Sequence, residues 1–305
     1  MAAVFALVGW ILLDRDRAET PSMNAAGSVA PSVPGSTAVL VGAGDIADCS
    51  LAADSDTATL AASLAGPGGA IFLAGDDAYG DGSAAQFRDC YGPTWGALRE
   101  RTHPVPGNHD WQTRALSGYL GYFGASAVNA DGKPWYAWDL GGWHIVMLDS
   151  NCNATGGCDA SSPQRRWLAT DLASDGATSA ACTLAIWHHP RFSSGEHGND
   201  RRTAPFWTAL RAAGADLVIN GHDHDYERFA AQDAGGAADP EGIVEMVVGT
   251  GGANLRHFEG ARPNSVARSS TRHGVLRLTL APMGYAWEFV AVGGEVFDAG
   301  SGTCH

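Results

Sequence analysis

Five short segments of this chain place oxygen and nitrogen donors immediately after a glycine or just before a strand-ending proline. They are Gly44-Asp45, Gly75-Asp76-Asp77-Ala78-Tyr79, Gly107-Asn108-His109-Asp110, Trp187-His188-His189-Pro190 and Gly221-His222-Asp223-His224. Carboxylate, amide oxygen and imidazole together suit a divalent or trivalent cation. A carboxylate such as Asp76 can bridge two cations, one oxygen to each. A lone Gly-Asp is an ordinary turn, but a second one closing a neighbouring strand is less simply explained. Asp110 stands where it could orient the ring of His109, as carboxylates behind metal-site histidines do. His222 and His224, two residues apart on an extended segment, point to one side. The candidate donors are Asp45, Asp76, Tyr79, Asn108, His188, His222 and His224. His189 either lines the pocket or packs.

Donors so far apart in sequence need a scaffold that gathers them. The apolar runs 38–41, 71–73, 103–105, 183–187 and 216–219 are short enough to be strands, and each ends in one of these turns. In open α/β sheets, ligands bind beyond the carboxyl ends of the strands. Helices are predicted over 52–64, 163–172 and 204–213, with two short helical stretches in 84–100. A hairpin is predicted from 135–140 and 143–148 around Gly141-Gly142. From Gly242 the chain is β-rich, with strands over 243–248, 275–280 and 287–292.

With 45% hydrophobic residues, the 305-residue chain can bury a sizeable core. The folded part is expected from residue 37 to 305 as one catalytic domain. Residues 14–36 read as an Ala/Ser/Pro-rich linker. Residues 2–13 form an apolar run too short for a free-standing membrane span of about 20 residues, which suits a signal peptide or the end of an anchor. A net charge of −14 argues against nucleic acid as the main partner. Six scattered cysteines fit disulfides in an oxidising compartment, hence a secreted, periplasmic or anchored protein. Cys152 with Cys158 is the best pair and Cys49 with Cys90 the next; the rest is unreadable.

Gly42-Ala43-Gly44-Asp45-Ile46-Ala47 also matches a dinucleotide-binding fingerprint. That reading is weak, because Asp45 would stand where a pyrophosphate must approach. The motif order GD, GDxxY, GNHD, WHHP, GHxHxYER resembles the calcineurin-like metallophosphoesterases, and within them the purple acid phosphatases of the tartrate-resistant type. The usual Asp-x-His of the first motif is absent, since Ala47 fills the histidine's place. By resemblance Tyr79 replaces that ligand. The nine-residue step from His188 to His197 resembles the mammalian tartrate-resistant enzymes.

The resemblance implies a four-layer α/β/β/α sandwich of two mixed β-sheets flanked by helices. It implies one metal site of Asp45, Tyr79 and His224 and a second of Asn108, His188 and His222, with Asp76 shared. A phenolate among carboxylates favours iron(III) and a visible charge-transfer colour. Two imidazoles favour a divalent zinc, iron or manganese. The reaction implied is hydrolysis of phosphate monoesters, small substrates, by a metal-bound hydroxide. His109 and His197, not needed as ligands, are candidates to protonate the leaving group. Arg228 reads as a structural ion-pair partner. Rival readings are a phosphodiesterase acting on nucleotides, a non-catalytic secreted metal-binding protein and, weakest, a dehydrogenase.

Overall fold

The computed structural model describes residues 37–305. The expected signal or anchor segment and the linker lie outside the described residues. The first strand of the described residues is β1 (Ala38–Ala43).

The strands follow in order: β2 (Ala70–Leu73), β3 (Thr102–Pro104), β4 (Tyr136–Leu140), β5 (Trp143–Met147), β6 (Cys182–Ile186), β7 (Leu217–Asn220), β8 (Tyr226–Phe229), β9 (Val244–Val248), β10 (Ser265–Ser269), β11 (Gly274–Ala281), β12 (Gly284–Ala291) and β13 (Val296–Thr303). They form a six-stranded sheet, β13-β12-β11-β1-β2-β3, and a seven-stranded sheet, β10-β8-β9-β7-β6-β5-β4. Both are mixed. In the first, β1, β2 and β3 are parallel and β11 to β13 antiparallel. In the second, β5, β6, β7 and β9 are parallel, with antiparallel β4, β8 and β10 at the flanks.

Alternation along the second sheet shows how it is buried on both faces. Ile145, Met147, Leu184, Ile186, Leu217 and Ile219 join the core shared with Leu40, Ile71 and Phe72 of the first sheet. Their neighbours Val146, Leu148, Ala185, Trp187 and Val218 pack the other way, under Leu168, Phe206, Trp207 and Leu210. Those last residues belong to helices Pro163–Leu172 and Ala204–Ala212. The alanine-rich helix Ala53–Ala65 packs on β1, β2 and β11 through Ala58, Ala61 and Ala65. The result is the expected α/β architecture of two mixed sheets flanked by helices. Fully buried parallel strands read as continuous apolar runs, which is why the site-bearing strands were visible in the sequence.

Three strands were not anticipated individually: β8, β10 and β13. β13 ends in Ala-Gly-Ser-Gly-Thr and looks like a turn. Its glycines are needed because a Cβ at Gly300 would lie 2.4 Å from the Trp287 ring on β12.

Three disulfides close the described chain: Cys49–Cys90, Cys152–Cys158 and Cys182–Cys304. The first two are the pairs chosen from the sequence. The third ties β6 to the C-terminus, and its partners are neighbours only because β12 and β13 fold back.

Candidate metal centre

Every candidate donor leaves the carboxyl end of a parallel strand or the turn beyond it. β1 leads to Asp45, β2 to Asp76 and Tyr79, β3 to Asn108 and His109, β6 to His188, and β7 to His222 and His224. The turns are tight. Asp45, Asp76 and His222 hold left-handed backbone, with φ of 59°, 54° and 71°, a conformation costing about 1 kcal/mol or more for a non-glycine residue and concentrated at functional sites. Glycines make the approach close enough. A Cβ at Gly107 would lie 2.0 Å from Asp76 Oδ1, and one at Gly221 would lie 2.6 Å from Asp45 Oδ2.

Two groups of donor atoms result, joined at Asp76. In the first, the Tyr79 hydroxyl lies 2.7 Å from Asp45 Oδ1, 3.1 Å from Asp76 Oδ2 and 3.0 Å from His224 Nε2. In the second, His188 Nε2 lies 3.4 Å from Asp76 Oδ2, 3.2 Å from Asn108 Oδ1 and 3.2 Å from His222 Nδ1. The His188 and His224 rings each turn Nδ1 onto a backbone carbonyl, Ala74 at 2.8 Å and Asn254 at 2.7 Å. With the proton on Nδ1, both Nε2 atoms offer a lone pair to the centre, the arrangement that orients metal-binding imidazoles. Asp45, Asp76 and His188 bring ligand atoms within 4.8 Å of one another, with Asn108 and His222 beside them, and this oxygen and nitrogen donor set fits the metal pair that the motifs suggest.

Charge inside the pocket is unbalanced when only protein groups are counted. Burial opposes ionisation of Asp76, but His188 and His109 outweigh it and hold the carboxyl well below its usual range. His188 is drawn down by burial, yet Asp76 and Asp45 raise it to about 9. His222 is pushed down to about 2 by burial, then by His188 and His197, and is a neutral imidazole. Burial, then Asp45 and Asp76, raise the Tyr79 phenol well above its ordinary value. A bound cation would reverse that logic, because it becomes the largest local charge.

The remaining candidates separate. His109 sits on the rim, its ring 4.5 Å from that of Tyr79 and its amide donating to Asp76 Oδ1 at 2.7 Å. Its Nδ1 meets the Gly80 carbonyl at 2.6 Å. Asp110 was expected to orient that ring and does not. It begins the short turn Asp110–Gln112, which aims its side chain inward. There Asp110 Oδ2 accepts the amides of Gly107 at 2.9 Å and Asp77 at 3.3 Å. It braces the turns that present Asn108 and Asp76. Burial, then Asp76, raise it to about 7. His197 is exposed and stacks on His222 with ring centroids 4.2 Å apart. His189 is buried, 2.8 Å from Ser150 Oγ, with its ring 4.4 Å from that of His222. Arg228 leaves the site and forms a two-point pair with Asp298, at 2.7 and 3.0 Å, as expected.

Buried acids that the motifs did not single out hold the loop carrying His197. Asp223 accepts the amides of His197 at 2.7 Å and Gly198 at 3.2 Å, and the Ser193 hydroxyl. Glu227 accepts the Ser194 amide at 2.7 Å, and Glu245 those of Arg191 at 2.8 Å and Phe192 at 3.0 Å. Asp223 between two candidate donor histidines was a visible signal. Glu245, inside an apolar strand, was visible only as a polar interruption.

The fold and donor set define a metallophosphoesterase. Residues 37–226 match the model of the calcineurin-like phosphoesterase family, and the chain belongs to that family. Among curated proteins it is similar to purple acid phosphatase 18 of Arabidopsis thaliana, 31% identical over 152 residues, covering 47% of this chain and 34% of that protein. It is also similar to purple acid phosphatase 15 of Arabidopsis thaliana, 32% identical over 181 residues, covering 52% and 32%. The chain therefore spans about a third of the length of these relatives. Among solved structures, the purple acid phosphatase PPD1 of yellow lupin superposes with a TM-score of 0.70 at 18% identity, covering 88% of this chain and 54% of that one. GAP50, the anchor in the inner membrane complex of Plasmodium, superposes with a TM-score of 0.67 at 16% identity, covering 88% and 89%. These two likenesses concern the fold. No helix among the described residues is long and apolar enough to cross a membrane.

Proposed function

We propose that this chain is a secreted phosphoesterase of the purple acid phosphatase kind, working with two metal ions on small phosphate monoesters. The observation that carries the reading is the pair of donor groups sharing Asp76: Tyr79, Asp45 and His224 on one side, Asn108, His188 and His222 on the other. The first group, with a phenol and two carboxylates, suits iron(III). The second suits divalent zinc, iron or manganese. When bound, such a pair supplies an activated water and neutralises phosphate charge.

The chain's own residues do the rest. Asp45 Oδ2 accepts the His222 amide at 2.8 Å, which locks the two strand-end turns together. His109 and His197 stand at the rim, beside the first and second donor groups respectively. Either imidazole can hold the proton that the departing alkoxide takes up. The stack of His197 on His222 brings it next to the second group. Asp110 serves as a brace and takes no part in proton transfer. The three disulfides support a location in an oxidising compartment.

Metal analysis, a visible spectrum, and rates on p-nitrophenyl phosphate and bis(p-nitrophenyl) phosphate test the proposal together. It expects two metals per chain, a charge-transfer band lost in Tyr79→Phe, and a faster rate on the monoester. A diester preference would turn the reading to a phosphodiesterase. Two metals without turnover of either ester would leave a metal-binding protein.

A further inference from the structure

The loop after β9 brings an arginine to the rim of the metal centre. It is tied to the ligand His224 at two points: the Arg256 amide donates to the His224 carbonyl at 3.0 Å, and the His224 ring meets the Asn254 carbonyl at 2.7 Å. The Arg256 backbone is therefore fixed relative to the donors. Its Nη1 lies 2.9 Å from His197 Nε2. A guanidinium can only donate, so it bonds the lone pair of that nitrogen. His197 in turn stacks on His222, and its loop is pinned by Asp223, Glu227 and Glu245. Arg256 thus stands outside the donor atoms by one stacked ring and one hydrogen bond.

Its donors are largely free. The side chain is 32% exposed, its charged partner is Glu196 at 3.4 Å, itself 55% exposed, and Nε and Nη2 bond no protein atom among the described residues. By contrast, Arg202 is bound by both oxygens of Asp200. In a chain of net charge −14, an available guanidinium beside an anion-binding centre needs a reason.

We propose that Arg256 forms a second anion subsite, which selects phosphate esters that carry another negative group, carboxylate or phosphate, a short distance from the scissile phosphate. The proposal rests on the phosphoesterase reading above. Charge alone sets the range: a planar guanidinium takes either oxyanion by two parallel hydrogen bonds, and Glu196 is displaced as the ligand enters.

Calorimetric titration of the metal-loaded protein with two non-hydrolysable probes tests it. Phosphonoacetate carries the extra carboxylate, and ethylphosphonate has a methyl group instead. The wild type should bind phosphonoacetate about tenfold more tightly than ethylphosphonate, as a partly exposed charge-assisted pair allows. In Arg256→Gln that ratio should collapse toward one, and Arg256→Lys should restore part of it. A ratio near one in the wild type, or a ratio that survives in Arg256→Gln, overturns the subsite. Equal weakening of both probes in Arg256→Gln also overturns it, since Arg256 would then act only by holding His197. Turnover of p-nitrophenyl phosphate by the same wild-type preparation reports separately on the phosphoesterase reading.

Discussion

The turns that hold the donors and the loops that rim them are built by different means. Donor turns follow directly from parallel strands. From β1, β2, β3, β6 and β7 the chain makes one tight bend and the candidate donor is in place. The rim loop at 191–198 is longer and depends on distant buried acids: Asp223, Glu227 and Glu245 receive its amides. The loop at 254–262 hangs in turn on the His224 carbonyl and on Ser194. The first region starts from sheet hydrogen bonds that exist for the whole fold, and Asp110 and Asp45 only brace turns those strands already aim. The second has its geometry set by a few charge-assisted bonds, which are strong but individually removable. Metal binding should therefore be robust and proton delivery fragile.

The sharpest attack on this contrast removes the shared carboxylate. Asp76→Ala should lose both metals and at least about 1000-fold in turnover, the several kcal/mol a metal pair supplies. Metal analysis beside the rate would show whether one site survives alone. Next in size, His197→Ala should lower kcat about 100-fold, as expected for a proton donor, with metal content unchanged. Equal loss of metal and turnover would make His197 structural and merge the two regions.

Asp223→Asn probes the bracing directly. It keeps the shape and removes the charge that holds the His197 and Gly198 amides. We expect kcat to fall about tenfold, about 1.4 kcal/mol, while both metals remain. Loss of metal here would instead show that ligand turns and rim share one brace.

The smallest effect lies far from the centre and serves as a control. His144 on β5 sits between Asp171 and Asp139, at 2.9 Å from each. Burial lowers its pKa, but Asp171 and then Asp139 outweigh burial and raise it above its ordinary value. A raised pKa stabilises the fold below the unfolded value of about 6.5 and the gain is lost as pH climbs through the folded value. Between pH 5.5 and 9 the His144 contribution to the unfolding free energy should fall by about 0.5 kcal/mol, so denaturant titrations should show a larger decline in the wild type than in His144→Asn. Metal content should stay constant across that pair.

Much of the fold was legible because buried parallel strands and amphipathic helices leave strong local patterns. The helix Pro163–Leu172 and the hairpin of β4 and β5 needed no tertiary information. β8 was hidden because Glu227 and Arg228 interrupt it, and each is explained by a partner far away in sequence. Asp110 was misread for a related reason. Adjacency to His109 suggested contact, but the backbone turns between them and sends the two side chains apart.

By itself the sequence determined which strand ends carry the candidate donors, because the strands and the turns after them are written in short local segments. Tertiary structure alone decided that Asp110 braces a turn, that Cys182 meets Cys304, and that Arg256 stands over His197. Each depends on chain segments whose meeting is fixed by sheet order, and sheet order is a property of the whole core.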